Sequence, residues 1–200
     1  MLKVGLTGSI AVGKSFVLSA FRELGCFVLD ADRTAREVVA PGTHGLKQVV
    51  ESFGTDVLLA DGSLDRSKLG SIVFADEEKR LLLNSIVHPL VFKEQDRWLT
   101  SQEADNPDGI AIVDAALMIE SGGYQRFDKL IVVWCEPDLQ LERLMSRDKL
   151  SRPDAQRRID SQMSQDEKKT YADFLIDTSN SFEETRLRVA EVLSRLRLFQ

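Results

Sequence analysis

Short apolar runs alternate along the chain with stretches in which apolar residues return every three or four positions. Residues 2–6 form the first apolar run. From residue 14 to residue 24, Val17, Phe21 and Leu24 fall on one helical face, and Gly25 ends the segment. Residues 26–29 read as a second strand, closed by Asp30-Ala31-Asp32. A short helix over residues 35–39 follows and stops at Pro41-Gly42. Residues 43–103 lose the strand signal and read as several helices joined by turns such as Phe53-Gly54 and Asp61-Gly62. Within them Leu82, Ile86 and Leu90 recur at spacing four, and Pro89 is expected to break or kink that helix. Asn106-Pro107-Asp108-Gly109 is a turn, residues 110–113 are a buried strand ending at Asp114, and residues 130–134 are another. Helices resume over 137–147 and 154–171, and 174–176 is a last strand. Ser181 and Glu184 form a capping box for a terminal helix whose Val189, Leu193 and Leu196 should face the core.

Strands alternating with helices imply a parallel sheet covered on both faces. The expected fold is α/β, of the three-layer kind built around a phosphate-binding loop, with about five parallel strands. One domain is expected: a core over residues 1–40, 108–146 and 172–200, a helical acceptor-binding insertion over 41–107, and a small lid over 147–171. In such sheets ligands sit beyond the carboxyl ends of the strands. That rule selects residues 8–16, Asp30 to Asp32, and the stretch from Asp114 through Leu117 to Glu120.

Residues Gly8-Ser9-Ile10-Ala11-Val12-Gly13-Lys14-Ser15 match the phosphate-loop pattern G-x-x-x-x-G-K-[ST] in full, between a strand and a helix. The strand delivers the loop, and the helix start turns free N–H groups and the positive dipole end toward an anion. Lys14 adds a charge for the β- and γ-phosphates, and Ser15 offers a hydroxyl to Mg²⁺. Two or three linked phosphates are therefore the expected ligand. Arg143 and Arg147 share a helix face. Arg147 and Arg152 flank a Ser/Asp/Lys-rich break over residues 148–154, which suits a mobile lid closing over phosphates.

Composition narrows the class. The 26 Lys and Arg against 32 Asp and Glu give a net charge of −6, which argues against general nucleic-acid or anionic-membrane binding. No apolar run nears the roughly 20 residues of a membrane span, and the first residues read as a strand rather than a signal peptide. Cys26 and Cys135 lie in expected strands and read as buried thiols, and His44 and His88 have no metal-ligand spacing. The loop alone leaves a small kinase, a GTPase switch and a remodelling ATPase open. The guanine signature N-K-x-D is absent. The strand at 110–113 ends in Asp114-Ala115 rather than Asp-Glu, so the glutamate that would polarise water is missing. The insertion and the basic lid favour a kinase.

At this level of detail the chain resembles the dephospho-coenzyme A kinase family through nearly its whole length. Val4-Gly5-Leu6-Thr7-Gly8 with Gly13-Lys14-Ser15 resembles the family's opening. Asp30-Ala31-Asp32, Ala35-Arg36-Glu37-Val38-Val39 and Pro41-Gly42 resemble its D-A-D-x-x-A-R-x-V-V-x-P-G stretch. Phe53-Gly54, Asp61 to Arg66, Val73-Phe74, Leu83-Asn84 and His88-Pro89 follow in the family's order. So do Gln140 with Arg143 and Arg147, Gln162, Lys168, Ala172-Asp173 and Ile176-Asp177. Ser9 and Ala11 stand where the loop usually has glycine, and Phe16 replaces a threonine. Ala115 to Glu120 keeps the glutamate of the usual Pro-Leu-Leu-Phe-Glu but not its proline or phenylalanine, and Asp177-Thr178-Ser179-Asn180 replaces Asp-Asn-x-Gly near the expected adenine site.

The resemblance implies transfer of a phosphoryl group from ATP, with Mg²⁺, to the ribose 3′-hydroxyl of dephospho-CoA, giving CoA and ADP. It implies a cytoplasmic enzyme, a monomer or weak homo-oligomer, whose partners are these small molecules. Carried onto this chain, it makes Asp32, Lys14 and Arg147 the catalytic set. Gly8, Ser9, Ile10, Ala11, Val12, Gly13, Lys14, Ser15, Phe16, Arg143 and Arg147 hold the nucleotide, with Ser15 on the metal. Asp32, Arg36, His88, Leu117 and Glu120 meet the acceptor. Asp32 is expected to orient the acceptor hydroxyl and take its proton, and also suits an N-cap for residues 33–39. His88 is either an acceptor contact or a packed turn residue. Asp30 is a candidate for the magnesium shell, and Asp114 holds either a metal-bound water or a core hydrogen bond.

Overall fold

The computed structural model describes residues Met1–Gln200. Five strands, β1 (Leu2–Thr7), β2 (Phe27–Asp30), β3 (Ile110–Asp114), β4 (Lys129–Trp134) and β5 (Phe174–Asp177), form one parallel sheet in the order β2-β3-β1-β4-β5. The helices are α1 (Lys14–Glu23), α2 (Ala31–Glu37), α3 (His44–Phe53), α4 (Arg66–Ala75), α5 (Glu77–Asp105), α6 (Pro137–Asp148), α7 (Arg152–Asp160), α8 (Gln165–Lys169) and α9 (Phe182–Leu196). The chain thus has the expected α/β architecture, with all five strands parallel.

β1 holds the centre of the sheet. Leu2 to Leu6 pair with Ile110 to Asp114 on one side, and Val4 to Thr7 pair with Lys129 to Val132 on the other. Strands covered on both faces read as continuous apolar runs, and every residue of β3 is buried. Leu2, Val4 and Leu6 join Ile110, Ile112, Ile131, Val133 and Ile176 in one core, completed by Val17 and Phe21 of α1 and by Val189, Leu193 and Leu196 of α9. Each such side chain contributes about 1.5–3 kcal/mol by leaving water. On the opposite face Gly5 leaves space for Met118, whose sulfur lies 2.6 Å from where a Cβ would stand. Ser181 caps α9 as expected, its hydroxyl accepting from the Glu184 N–H at 3.1 Å.

The chain divides into two compact units, Met1–Asp30 with Leu99–Gln200, and Ala31–Trp98. The first contains the sheet, α1 and α6 to α9. The second is helical and has its own core of Val39, Leu46, Val49, Val57, Leu64 and Leu69. Its limits differ from the insertion read from sequence at 41–107. α2 follows β2 without a loop, and the end of α5 from Leu99 onward belongs with the first unit.

Three expectations about elements need correction. α2 begins at Ala31 rather than 35, so Asp32 lies inside its first turn and is not an N-cap; a carboxylate there still meets the favourable end of the helix dipole. α5 runs unbroken from Glu77 to Asp105 through Pro89. The missing N–H and ring clash cost about 3 kcal/mol, offset by Leu83, Ile86 and Val87 packing on the core of the second unit. The helix read over 154–171 is two helices. Ser151 and Ser164 each accept a backbone N–H at a helix start and so restart the chain, as α7 and α8.

Both cysteines are free and buried, one just before β2 and one just after β4. Burial raises the Cys26 thiol to about 11, opposed by the charge of Arg197. Burial also raises Cys135, against the opposing charge of Arg143. A thiol whose folded pKa lies above its ordinary value stabilises the fold below that value and loses the contribution as pH rises through the folded pKa. Stability should therefore fall between pH 9 and about 11, and a Cys26→Ala variant should lose less over that interval in urea titrations. At pH 7.5 the native protein should resist iodoacetamide and label fully once denatured.

Candidate active site

The loop from Gly8 to Gly13 leaves the carboxyl end of β1 and enters α1 at Lys14. Gly8 passes so close to β4 that a Cβ would strike the carbonyl oxygen of Val133. Gly13 sits at φ +87° as the residue before α1, a left-handed conformation that turns the chain into the helix. Ala11 also lies left-handed, at φ +62°, where an alanine costs about 1–2 kcal/mol more than a glycine. A glycine there would avoid that strain. The first N–H groups of α1 have no acceptor within the helix and point along its dipole.

Lys14 Nζ donates to Asp114 Oδ1 at 3.0 Å, and both side chains are largely buried. The contact crosses from the start of α1 to the end of β3, because β1 and β3 are neighbours with Leu6 opposite Asp114. Asp30 stands opposite Asp114 at the end of β2. The Ser15 residue is exposed at the second position of α1. One hydroxyl and two strand-end carboxylates are a hard-oxygen set, and they suit a Mg²⁺ ion that keeps most of its water.

The loop is held from outside by side chains. Thr178 Oγ1 donates to the Val12 carbonyl at 2.7 Å. Arg143 donates to Thr178 Oγ1 at 3.1 Å and to the Thr178 carbonyl at 2.8 Å. The Ile10 N–H donates to Gln162 Oε1 at 2.8 Å, and the Ile10 carbonyl accepts from Gln140 Nε2 at 2.8 Å. Ser9 Oγ donates to the Met163 carbonyl at 3.3 Å. The side chains of Ile10 and Ala11 pack against Leu141, Leu144 and Ala155 of α6 and α7.

Behind the loop, Lys168 is fully buried. Its Nζ lies 2.7 Å from Glu120 Oε1 and donates to the Ala116 carbonyl at 2.9 Å. Thr7 Oγ1 donates to the same carbonyl at 3.2 Å. Burial lowers the Lys168 pKa, Glu120 opposes that shift, and the charge of Lys14 adds to it. Two lysines therefore sit within electrostatic reach of each other, each held by its own carboxylate.

The expected site residues divide by location. The loop, Lys14, Arg143 and Asp114 form one connected cluster in the first unit. Arg147 does not join it through any direct contact: its guanidinium forks onto Asp148 at 2.7 and 3.1 Å and is about half exposed. Asp148 holds Arg158 as well. The Phe16 ring turns to Phe182, 4.6 Å between centroids, beneath Arg186. Glu120 is taken up by Lys168, and Leu117 is half exposed.

In the second unit Asp32 and Arg36 are exposed on α2, and the Arg36 carbonyl accepts from Arg66 at 3.1 Å. His88 is not a turn residue. It lies mid-helix in α5, half-buried, 5.9 Å from the Phe92 ring, and burial lowers its pKa, favouring the neutral imidazole. In the sequence Gln140, Gln162 and Lys168 stand out only as landmarks of the resemblance, and Thr178 only as a departure from it. A buried lysine in a short polar helix and scattered glutamines carry no pattern by which they could have been singled out.

Removing one partner of a buried ion pair leaves the other uncompensated. Lys168→Met should lower unfolding stability by about 2–3 kcal/mol in urea titrations, less than a fully enclosed pair because Glu120 keeps some solvent contact. Adding Glu120→Gln to Lys168→Met should recover part of that loss.

The chain is similar to known proteins over nearly its whole length. A family profile described as Dephospho-CoA kinase matches residues 2–184. The dephospho-CoA kinase of Listeria monocytogenes serotype 4b is 46% identical over 194 residues, covering 96% of each chain. Among solved structures, TT1252 from Thermus thermophilus superimposes with a TM-score of 0.83 at 28% identity, covering 98% of this chain and 97% of that one. A dephospho-CoA kinase from Campylobacter jejuni does so with a TM-score of 0.71 at 31% identity, over 98% and 96%.

Proposed function

We propose a reaction and a division of labour among residues from one premise: the chain belongs to the dephospho-CoA kinase family. The enzyme phosphorylates the ribose 3′-hydroxyl of dephospho-CoA at the expense of ATP, giving CoA and ADP, the last step of CoA biosynthesis. The observation that carries this reading is the strand-to-loop-to-helix passage at residues 2–23, with Gly13 left-handed and Lys14 held at the helix start. Phosphoryl transfer asks a protein for alignment and charge neutralisation more than for covalent chemistry, and that passage supplies both.

The loop amides and the start of α1 grip the phosphate chain. Lys14 leaves Asp114 for the β- and γ-phosphates, exchanging one anion for another, and Arg143 steadies the loop through Thr178. Ser15 would hold Mg²⁺ through its hydroxyl, with Asp30 and Asp114 placed to act on it through water, and the ion would supply charge neutralisation to the phosphates. Asp32, two residues beyond the carboxyl end of β2, orients the acceptor hydroxyl and receives its proton. Arg36, His88, Leu117 and Glu120 belong to the acceptor side; for Glu120 this means acting through its bond to Lys168. Arg147 neutralises charge on the transferred group once it is released from Asp148. The enzyme works in the cytoplasm on substrates taken from solution, as a monomer or weak homo-oligomer.

Incubated with Mg·ATP and a panel of acceptors, the protein should release ADP fastest with dephospho-CoA. Equal release without an acceptor, or preference for a mononucleotide, would overturn the assignment. Asp32→Asn should lower kcat by about 10²–10⁴-fold while the affinity for Mg·ADP, measured by calorimetry, stays within threefold. Equal losses in both would assign Asp32 a structural role.

A further inference from the structure

Both polar groups of one loop peptide are captured by side-chain amides. The Ile10 N–H donates to Gln162 and the Ile10 carbonyl accepts from Gln140, each at 2.8 Å. Gln140 Oε1 accepts in turn from Gln165 Nε2 at 2.8 Å, and Gln165 Oε1 accepts from the Cys135 N–H at 3.0 Å. The series starts on the backbone after β1 and ends on the backbone after β4, the neighbouring strand. Each amide is used head to tail, so each bond polarises the next. The direction is fixed by chemistry. Turning Gln140 over would set its oxygen against the Ile10 carbonyl and its NH₂ against that of Gln165. Gln140 is 2% exposed, so neither of its ends has water as an alternative.

Gln162 enters from a different place. It lies in the four-residue joint 161–164 between α7 and α8, a joint bounded by the C-cap Ser161 and the N-cap Ser164. The same joint gives its Met163 carbonyl to Ser9, while Ile10 and Ala11 pack on the cluster that contains Ala155 of α7. Two consecutive loop residues therefore grip the joint, and α7, with Arg152, Arg157 and Arg158, hangs from it.

We propose that Gln140 and Gln162 are positioning residues: together they fix the Ile10 peptide in the donor loop, and Gln162 transmits the state of that loop to the α7–α8 joint. The inference deepens the kinase reading and rests on the loop being the donor site. Neither glutamine needs to touch the nucleotide. With the Ile10 N–H already bonded to protein, the anion is left to the amides that follow it, and any shift of Ile10 on binding moves Gln162 with it.

The two glutamines use their amides differently, and this makes the test sharp. Gln162 serves Ile10 only as an acceptor, a role that glutamate keeps and leucine loses. Gln140 must donate to Ile10, so glutamate fails there as leucine does. Hydrogen–deuterium exchange on the full chain without nucleotide reads this directly. Exchange of the 6–13 segment should quicken about tenfold in Gln162→Leu and in Gln140→Glu, and stay within about twofold of the parent in Gln162→Glu. Equal behaviour of the two glutamate variants would overturn the assignment. Addition of Mg·ADP should slow exchange of residues 159–166 in the parent and not in Gln162→Leu; slowing that persists in the variant would refute the transmission. KM for ATP should rise about tenfold in Gln162→Leu with KM for the acceptor unchanged, a split that loss of stability alone does not give. Gln162 is only partly buried and decides the matter if the Gln140 variants fail to fold. If Mg·ADP changes no segment of the parent, the donor-site reading and the transmission fail together, while the nucleotide-free comparison still judges how the loop is fixed.

Discussion

A helix start binds an anion only when it is aimed, and here the aiming is done by the central strand. β1 is clamped between β3 and β4, and the loop leaves it under two constraints that both arise from that position. The first is the near-contact of Gly8 with the Val133 carbonyl of β4. The second is the bond from Lys14 to Asp114 of β3. One neighbour sets where the loop can pass, and the other sets where its lysine waits. Moving β1 to an edge would remove one of these references, and the loop would lose a defined path.

The cations of the site are already partnered. Lys14 is held by Asp114, Lys168 by Glu120, and Arg143 by the hydroxyl and carbonyl of Thr178. For Lys14, largely buried with Asp114, an arriving phosphate replaces one anion by another, so little solvent need rearrange. Lys168 differs from Lys14 in being fully buried and in also bonding a carbonyl. It is fixed, whereas Lys14 keeps a small exposed fraction and bonds one carboxylate.

The donor loop could be read from sequence because its chemistry demands particular residues at fixed spacing: glycines where the backbone turns left-handed or meets another strand, then a lysine and a hydroxyl at the helix start. The terminal helix could be read because Ser181 and the period of Val189, Leu193 and Leu196 agree. Other features escaped for physical reasons. Pro89 stays helical because packing of its neighbours outweighs a local preference that sequence rules weigh alone. Asp32 reads as an N-cap because a helix is expected to begin just after it, yet β2 passes straight into α2 and Asp32 lies inside the first turn. The loop braces, Gln140, Gln162 and Thr178, act over separations of 130, 152 and 166 residues along the chain. Nothing local marks a residue whose partner is that far away.

The position of β1 has a consequence for how the protein is made. Leu2 is made well before its sheet partner Ile110, and on the other side Val4 is made well before its partner Lys129. The whole stretch from Leu2 to Ile110 must be produced before the central strand can acquire either neighbour. Until then its apolar residues wait unpaired beside the ribosome, a natural client for a chaperone. Residues 31–98, which have their own apolar centre, are complete earlier and can settle first. This central strand, made before both its neighbours, is thus among the last to be enclosed, and the slow phase of assembly should be the closure of these long-range parallel pairings.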